Sequence, residues 1–191
     1  MLRRHLLATN NSMSFKRQQY GFGLIELLVT LAVITMVISI GVPSFASFST
    51  KNRAVARVDD INSAMRLARQ VAIEHNFLAQ VCAKSAASLD SESCGADTDW
   101  DNGLLVRVNS TDGSWQVIQN KAFADSNTST SIYKDNTPSN KLSSVDFQPT
   151  GNLNTTTTGP KITINVSSGG CTGITKISIT GRLRGDPLSN C

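Results

Sequence analysis

The chain has 191 residues and a formal net charge of +4, with 18 basic against 14 acidic residues. This length suits one ordinary domain with an appendage rather than several domains. Four of the 18 basic residues fall within residues 1–21, which contain no acid, so the remaining 14 balance the 14 acidic ones. The positive charge is therefore local, and the overall charge does not indicate a protein that binds polyanions.

A long apolar segment follows these basic residues. The run from Leu27 to Val42 contains only apolar residues, glycine, threonine and serine. Such a segment enters a membrane with its basic side left in the cytoplasm. One interpretation is a secretory signal peptide cut after Ala46, and a second is a plain transmembrane anchor over residues 24–42.

Neither interpretation accounts for Glu26, which lies at the start of the apolar run. A carboxylate at the centre of a spanning helix costs about 2.5–3.5 kcal/mol on insertion scales, and less near an end. A third interpretation cuts the chain between Gly21 and Phe22, which places a new amine one helical turn from Glu26. In a helical assembly, this carboxylate would pair with the amine of a neighbouring subunit inside a low-dielectric core. Glu26 is then predicted to set the register between subunits.

The stretch GFGLIELLVTLAVITMVISIGVPSF, residues 21–45, resembles the N-terminal signal of type IV pilins and type II secretion pseudopilins. The resemblance implies that a prepilin peptidase cuts after Gly21 and methylates Phe22. It makes residues 1–21 a leader peptide and residues 22–50 a hydrophobic transmembrane and assembly helix.

Other positions of this signal also match the family. Glu26 falls where the family has its glutamate, and Pro43 falls where it has a helix-bending proline. Gly23 departs from the pattern, since threonine or serine is commoner there. The leader is longer than is usual, which makes Met13 an alternative to Met1 as the start of translation.

Helical character is expected to continue past Pro43 to about His75. Over residues 51–75, apolar residues recur at intervals of three and four, which indicates an amphipathic helix with one face to cover. The apolar positions are Val55, Val58, Ile61, Met65, Ala68 and Ala72, with the arginines, Arg57 among them, largely elsewhere. A helix from Phe22 to His75 would be on the order of 80 Å long. Its first half therefore needs a membrane or other subunits around it.

Beyond the helix, short β-type runs alternate with polar turns. Strands are predicted at residues 77–84, 104–109, 114–120, 142–148, 161–167 and 174–180, with exposed loops at 125–141 and 154–159. The NSTDGS stretch, residues 109–114, is predicted to form a hairpin turn in which Gly113 takes positive φ. The fold class is α+β: a long N-terminal helix, membrane-spanning in its first half, packed against a small antiparallel β-sheet domain, residues 51–191, outside the cytoplasm.

Three stretches of this domain resemble one particular branch of the pilin family. VCAKSAASLDSESCGADTDWDNGLLVRV, VDFQPTGNL and ISITGRLRGDPLSNC resemble, in that order, the FimT/GspH branch of minor pilins and pseudopilins. The resemblance implies the type IV pilin-like fold and assembly with other major and minor pilins. It also implies a path from the bacterial inner membrane to a pilus at the cell surface.

The four cysteines form no CxxC pair, and zinc-type ligand spacing is absent. Behind an export-like N-terminus they indicate two disulfides. Their positions favour the local pairs Cys82–Cys94 and Cys171–Cys191, although four cysteines allow three pairings. The sequence contains none of the phosphate-binding, dinucleotide-binding, hydrolase or metalloprotease motifs. We therefore expect neither an enzyme nor a cofactor or metal.

The GRLRG segment, residues 181–185, is the remaining candidate for binding. In an extended chain, residues i and i+2 project to the same side, so Arg182 and Arg184 would present their guanidinium groups together. Lys176 shares their parity if the strand is unbroken. The alternative is a solvated basic pair partly neutralised by Asp186.

Two parallel guanidinium groups are able to grip adjacent phosphates without reading base sequence. The flanking Gly181 and Gly185 are expected to leave the backbone approachable. Some FimT-type minor pilins, moreover, bind DNA in natural transformation through a C-terminal G-R-x-R motif, which Gly181, Arg182 and Arg184 match. The resemblance thus implies double-stranded DNA as a partner.

Taken together, the sequence indicates a minor type IV pilin, cut by prepilin peptidase, carried in the pilus and able to bind DNA for uptake. Two alternatives stay open. One is a minor pseudopilin of a type II secretion system, and the other is a secreted, disulfide-bonded binding domain released after Ala46.

Overall fold

The computed structural model describes residues 23–86, 90, 92–125 and 127–189. The predicted leader, the cleavage pair Gly21 and Phe22, and Cys191 lie outside the described residues. The chain divides into two compact units, Met1–Val42 and Pro43–Cys191. Helix α1 spans Leu24–His75 and contributes to both. Residue 43 lies within this helix, and the bend expected there stays a prediction.

In the first unit, α1 presents apolar side chains on all sides. Its large hydrophobic residues from Leu24 to Val42 are 50–79% exposed. Its hydroxyl groups turn inward to the backbone: Thr30, Thr35 and Ser39 each donate to the carbonyl three residues earlier, at 2.8 Å. Hydroxyl groups bonded in this way add little to the cost of an apolar environment. By length and composition, the helix is able to cross a membrane.

In the described part of the second unit, eight antiparallel strands follow the helix. They form two four-stranded sheets, with the orders β3-β2-β1-β5 and β4-β6-β7-β8. Their bounds are β1 Ala79–Ala83, β2 Gly103–Asn109, β3 Trp115–Ala122, β4 Thr128–Lys134, β5 Ser144–Phe147, β6 Lys161–Ser168, β7 Cys171–Ser178 and β8 Leu183–Ser189. A 3-10 turn, Asp99–Asp101, lies between β1 and β2.

One hydrophobic core joins both sheets to the second half of α1. Ile61, Met65 and Ala68 on the helix are fully buried, and the same cluster contains Leu104 from the first sheet and Ile164 from the second. The apolar face of the helix therefore packs against the inward faces of both sheets. The predicted fold class, a long N-terminal helix packed against a small antiparallel β-domain, is confirmed.

The buried face of the helix begins differently from the prediction. Val55 is 38% exposed, whereas Arg57 is only 4% exposed. The Arg57 guanidinium lies over the Phe123 ring, 3.7 Å from its centroid, and donates to the Asp125 carbonyl at 3.2 Å. Burial lowers the pKa of Arg57, and nearby carboxylates oppose that shift. An aromatic face and a carbonyl thus accommodate a side chain that the sequence pattern assigned to solvent.

The prediction of an exposed loop over residues 125–141 was wrong. This segment contains β4, which pairs with β6 from Thr128 opposite Ser168 to Lys134 opposite Ile162. Its inward residues Thr128, Thr130 and Ile132 are buried. Because threonine is a strong strand former that reads as polar, hydropathy alone hid this strand.

Two smaller expectations also need correction. Residues 154–159 are not simply exposed, since Thr158 is fully buried and its hydroxyl accepts the Asp146 N–H at 3.0 Å. The segment after Gly181, for which the sequence predicted no strand beyond an extended chain, forms β8. The hairpin turn at residues 109–114 is confirmed: the Ser110 N–H donates to the Ser114 carbonyl at 2.9 Å, and Gly113 has φ 81°.

The core predicts a sharp contrast between two isoleucines of the same helix. Ile61→Ala should lower the free energy of unfolding by about 2–5 kcal/mol, because Ile61 is fully buried and truncation leaves a cavity. Ile73→Ala is the matched control, with 51% of the residue exposed, and should cost about 1 kcal/mol or less. Urea unfolding of Pro43–Cys191, followed by circular dichroism, measures both. Equal losses would contradict the placement of the core.

Candidate functional site

Glu26 lies in the first turn of α1. The N–H groups of Glu26 and Leu27 donate to the Gly23 carbonyl at 3.1 and 3.2 Å, which begins the helix. A carboxylate at this end is stabilised by the positive end of the helix dipole. Its neighbours Leu24, Ile25 and Leu27 are apolar and exposed. Glu26 forms no ion pair within the described part of the chain, so a charged partner would have to come from elsewhere.

The second candidate site is the β7–β8 hairpin, which a three-residue turn closes. The Gly181 N–H donates to the Ser178 carbonyl at 2.8 Å, and the Ser178 N–H donates to the Arg182 carbonyl at 3.1 Å. Gly181 has φ 71°, the left-handed conformation that such a turn needs at its last position. This turn starts β8 and fixes which way the two arginines face.

Gly181 does not leave the backbone open to a ligand, contrary to the prediction. It is buried, and an added Cβ would lie 2.6 Å from the Gly151 carbonyl oxygen and 3.0 Å from Arg69 Cδ. The glycine is therefore needed for the turn and for close packing against residue 151. Gly185 is exposed, and only there does the prediction agree with the structure.

The strand register places the basic residues on one face of the second sheet. Lys176 is directly opposite Arg184, and Ile177 is opposite Leu183. Directly paired residues share a face and consecutive residues alternate between faces. Ile177 is buried in the core, and Leu183 packs against it, so Lys176, Arg182 and Arg184 face away from the core.

These side chains line one surface hollow of about 550 Å³. Its lining includes Lys161, Lys176, Arg182 and Arg184, together with hydroxyl and aliphatic side chains. Lys161 was not singled out from the sequence. It enters because β6 pairs with β7 so that Lys161 is opposite Ser178. The hollow therefore gathers four cations, one each from β6, β7 and β8 and one, Arg182, from the residue directly before β8.

The basic side chains at this face differ in whether they form an ion pair. Lys176 Nζ is 2.9 Å from Asp186 Oδ2, with side-chain exposures of 40% and 53%. Arg182 and Arg184 are exposed and form no ion pair within the part of the chain that the structure describes. Asp186 thus neutralises the lysine and not the arginine pair, which corrects the expectation from the sequence.

The structure describes three of the four cysteines, at positions 82, 94 and 171. Cys82 and Cys94 form a disulfide with their Cα atoms 5.6 Å apart. Cys171 is also disulfide-bonded. Its pairing with Cys191 falls outside the described residues and stays a prediction. In the loop that follows Cys94, Asp99 accepts the Ala96 N–H at 2.7 Å, so this carboxylate caps a turn.

Comparisons with known proteins agree with these features. Residues 57–181, more than half of the chain, match the family described as type II transport protein GspH. Residues 16–42 match the prokaryotic N-terminal methylation motif. No curated protein matches the chain in sequence.

Two solved structures are similar to the chain. The type IV minor pilin FimU of Pseudomonas aeruginosa (strain PAO1) has a TM-score of 0.53 at 19% identity, covering 73% of this chain and 92% of that chain. The minor pseudopilin EpsH of the type 2 secretion system of Vibrio cholerae has a TM-score of 0.44 at 14% identity, covering 72% and 95%. At such identities, the FimU likeness supports the fold alone. With the family match over most of the second unit and the methylation motif before it, the chain belongs to the GspH family of type IV pilin-like proteins.

Proposed function

We propose that the chain is a minor type IV pilin that carries a DNA-binding face. Prepilin peptidase cuts between Gly21 and Phe22 and methylates Phe22, and the apolar part of α1 holds the subunit in the inner membrane. The subunit then joins other major and minor pilins through this helix, with its second unit outside the cytoplasm. Its role is structural and adhesive rather than enzymatic.

The observation that carries the DNA-binding part is the unpaired charge of Arg182 and Arg184 on an outward face. The backbone positions of two residues at i and i+2 in extended chain lie about 7 Å apart, with both side chains on the same side, which suits contacts to neighbouring phosphates. Among the described residues, the lining of the hollow contains no aromatic side chain that could stack on a base. The face is therefore suited to sequence-independent contacts with the phosphate backbone.

A second candidate is a minor pseudopilin that assembles into the short periplasmic fibre of a type II secretion system. The description of the matched family, a type II transport protein, favours it. In that role the same helix and Glu26 would direct assembly, and the arginine pair would serve no nucleic acid. The two candidates differ in whether the folded protein binds DNA.

The role of Glu26 is testable in cells. Glu26→Ala should leave cleavage after Gly21 intact and abolish incorporation into fibres, because the carboxylate no longer pairs with the amine of a neighbour. The measurement is the amount of subunit in sheared fibres, with the mature mass giving the N-terminal residue. Glu74→Ala, at the far end of the same helix, is the control. Normal incorporation of Glu26→Ala would contradict the assignment, and Ser47 as the N-terminus would identify a secreted domain.

DNA binding is tested by a salt titration with the full chain in a non-ionic detergent. The wild type should bind a DNA fragment at low salt and release it as salt rises. The double variant Arg182→Ala, Arg184→Ala should lower the slope of log K against log salt by about 2, since two phosphate contacts are lost. A double variant that binds as the wild type does would refute the site. No binding by the folded wild type would favour the pseudopilin.

The Lys176–Asp186 ion pair predicts a gain of function. Asp186→Asn should release Lys176 to a phosphate, so binding at low salt should tighten and the salt slope should steepen by about 0.9. Asp59→Asn, which removes one exposed acidic charge on α1, is the matched control and should change neither. Equal effects of the two substitutions would show that only net charge matters.

A further inference from the structure

Lys161 adds a third free cation to the arginine pair, and its position differs from theirs. It is the first residue of β6, is exposed, and forms no ion pair among the described residues. The Asp135 N–H donates to the Lys161 carbonyl at 2.9 Å, but the two side chains are not paired as ions. The ammonium group is therefore free for a ligand.

The backbone positions of the three cations form a triangle rather than a line. Arg182 directly precedes β8 and Arg184 lies within it, so their backbone positions are about 7 Å apart. Lys161 lies in the row that also contains Ser178 and Arg182, because β6 pairs Lys161 with Ser178 and the hairpin sets Ser178 against Arg182. Two strand spacings of about 4.8 Å put the backbone of Lys161 roughly 10 Å from that of Arg182 across the sheet.

This backbone spacing is comparable with the width of the DNA major groove, about 12 Å, and exceeds that of the minor groove, about 6 Å. If the arginine pair follows the phosphates of one strand, a cation about 10 Å to the side reaches the phosphates of the complementary strand. A single strand offers no second row of phosphates in that place. Lys161 thus has the position of a residue that recognises a duplex.

We infer that Lys161 contacts the second phosphate strand of a DNA duplex held by Arg182 and Arg184, so that the face binds double-stranded DNA across a groove. This inference rests on the proposed DNA-binding function, and adds a residue outside the G-R-x-R motif together with the part of the duplex that it contacts. Lys176 contributes less, because its charge is compensated by Asp186.

The test uses the full chain in non-ionic detergent, with a duplex and with a single strand of the same sequence. Lys161→Ala should lower the salt slope by about 0.9 on the duplex, the loss of one phosphate contact, and leave the slope on the single strand unchanged. Lys161→Arg keeps the charge and should retain the wild-type slope. Lys51→Ala removes an equal charge from an exposed site on α1 and is the matched control. Unchanged melting temperatures show that each variant is folded.

The outcomes separate the two proposals. A Lys161→Ala slope equal to that of Lys51→Ala on the duplex, or equal losses on duplex and single strand, would overturn the placement of Lys161 on a second strand. The Arg182→Ala, Arg184→Ala variant, measured in parallel, tests the proposed function by itself. Absence of DNA binding by the folded wild type would overturn both.

Discussion

The burial of α1 against both sheets determines which side of every strand faces outward. The core cluster contains Ile61 and Met65 from the helix, Ile164 and Ile177 from the second sheet, and Leu183 packed beside them. Because Ile177 and Leu183 face the core and alternate residues of a strand face opposite sides, the side chains of Lys176, Arg182 and Arg184 face away from the core. A one-residue slip of β8 would turn the arginines inward, where an unpaired charge is far too costly. The candidate binding face is therefore specified by apolar contacts on its other side.

In the described part of the first unit, by contrast, no side of the helix is buried within the protein. From Leu24 to Val42 the helix has no buried side, and its hydroxyl groups are bonded to its own backbone. An apolar surface of this extent requires lipid or other apolar helices as its environment. In such surroundings Glu26 is the one carboxylate among apolar neighbours. A compensating positive charge would attract it strongly, because little solvent screens the pair, and would favour one position of the neighbouring group. In the proposed function, this segment would therefore anchor the subunit in the membrane and set its register against a neighbouring subunit.

Much of this fold follows from the sequence because its signals are local. The apolar periodicity around Ile61 and Met65 predicts the buried helix face, and the two-residue spacing of Arg182 and Arg184 predicts that they project together. β4 escaped prediction because Thr128 and Thr130 read as polar although they are buried. Arg57 escaped because its burial depends on Phe123, 66 residues away in the chain. Lys161 joined the site only through the β6–β7 register, which no local pattern encodes.

The residues after 21 are formally neutral, and yet the chain presents a local basic face, which is the face proposed to bind phosphates. Arg182, Arg184 and Lys161 lie on one face, while Asp186 offsets only Lys176. Three free cations make few phosphate contacts, and so a single subunit should hold DNA weakly and release it as salt rises. A fibre changes this balance, because a duplex held at one subunit meets the next at high effective concentration. In the proposed function, assembly through the apolar helix would thus supply the multivalency that weak binding at each basic face needs to hold a duplex.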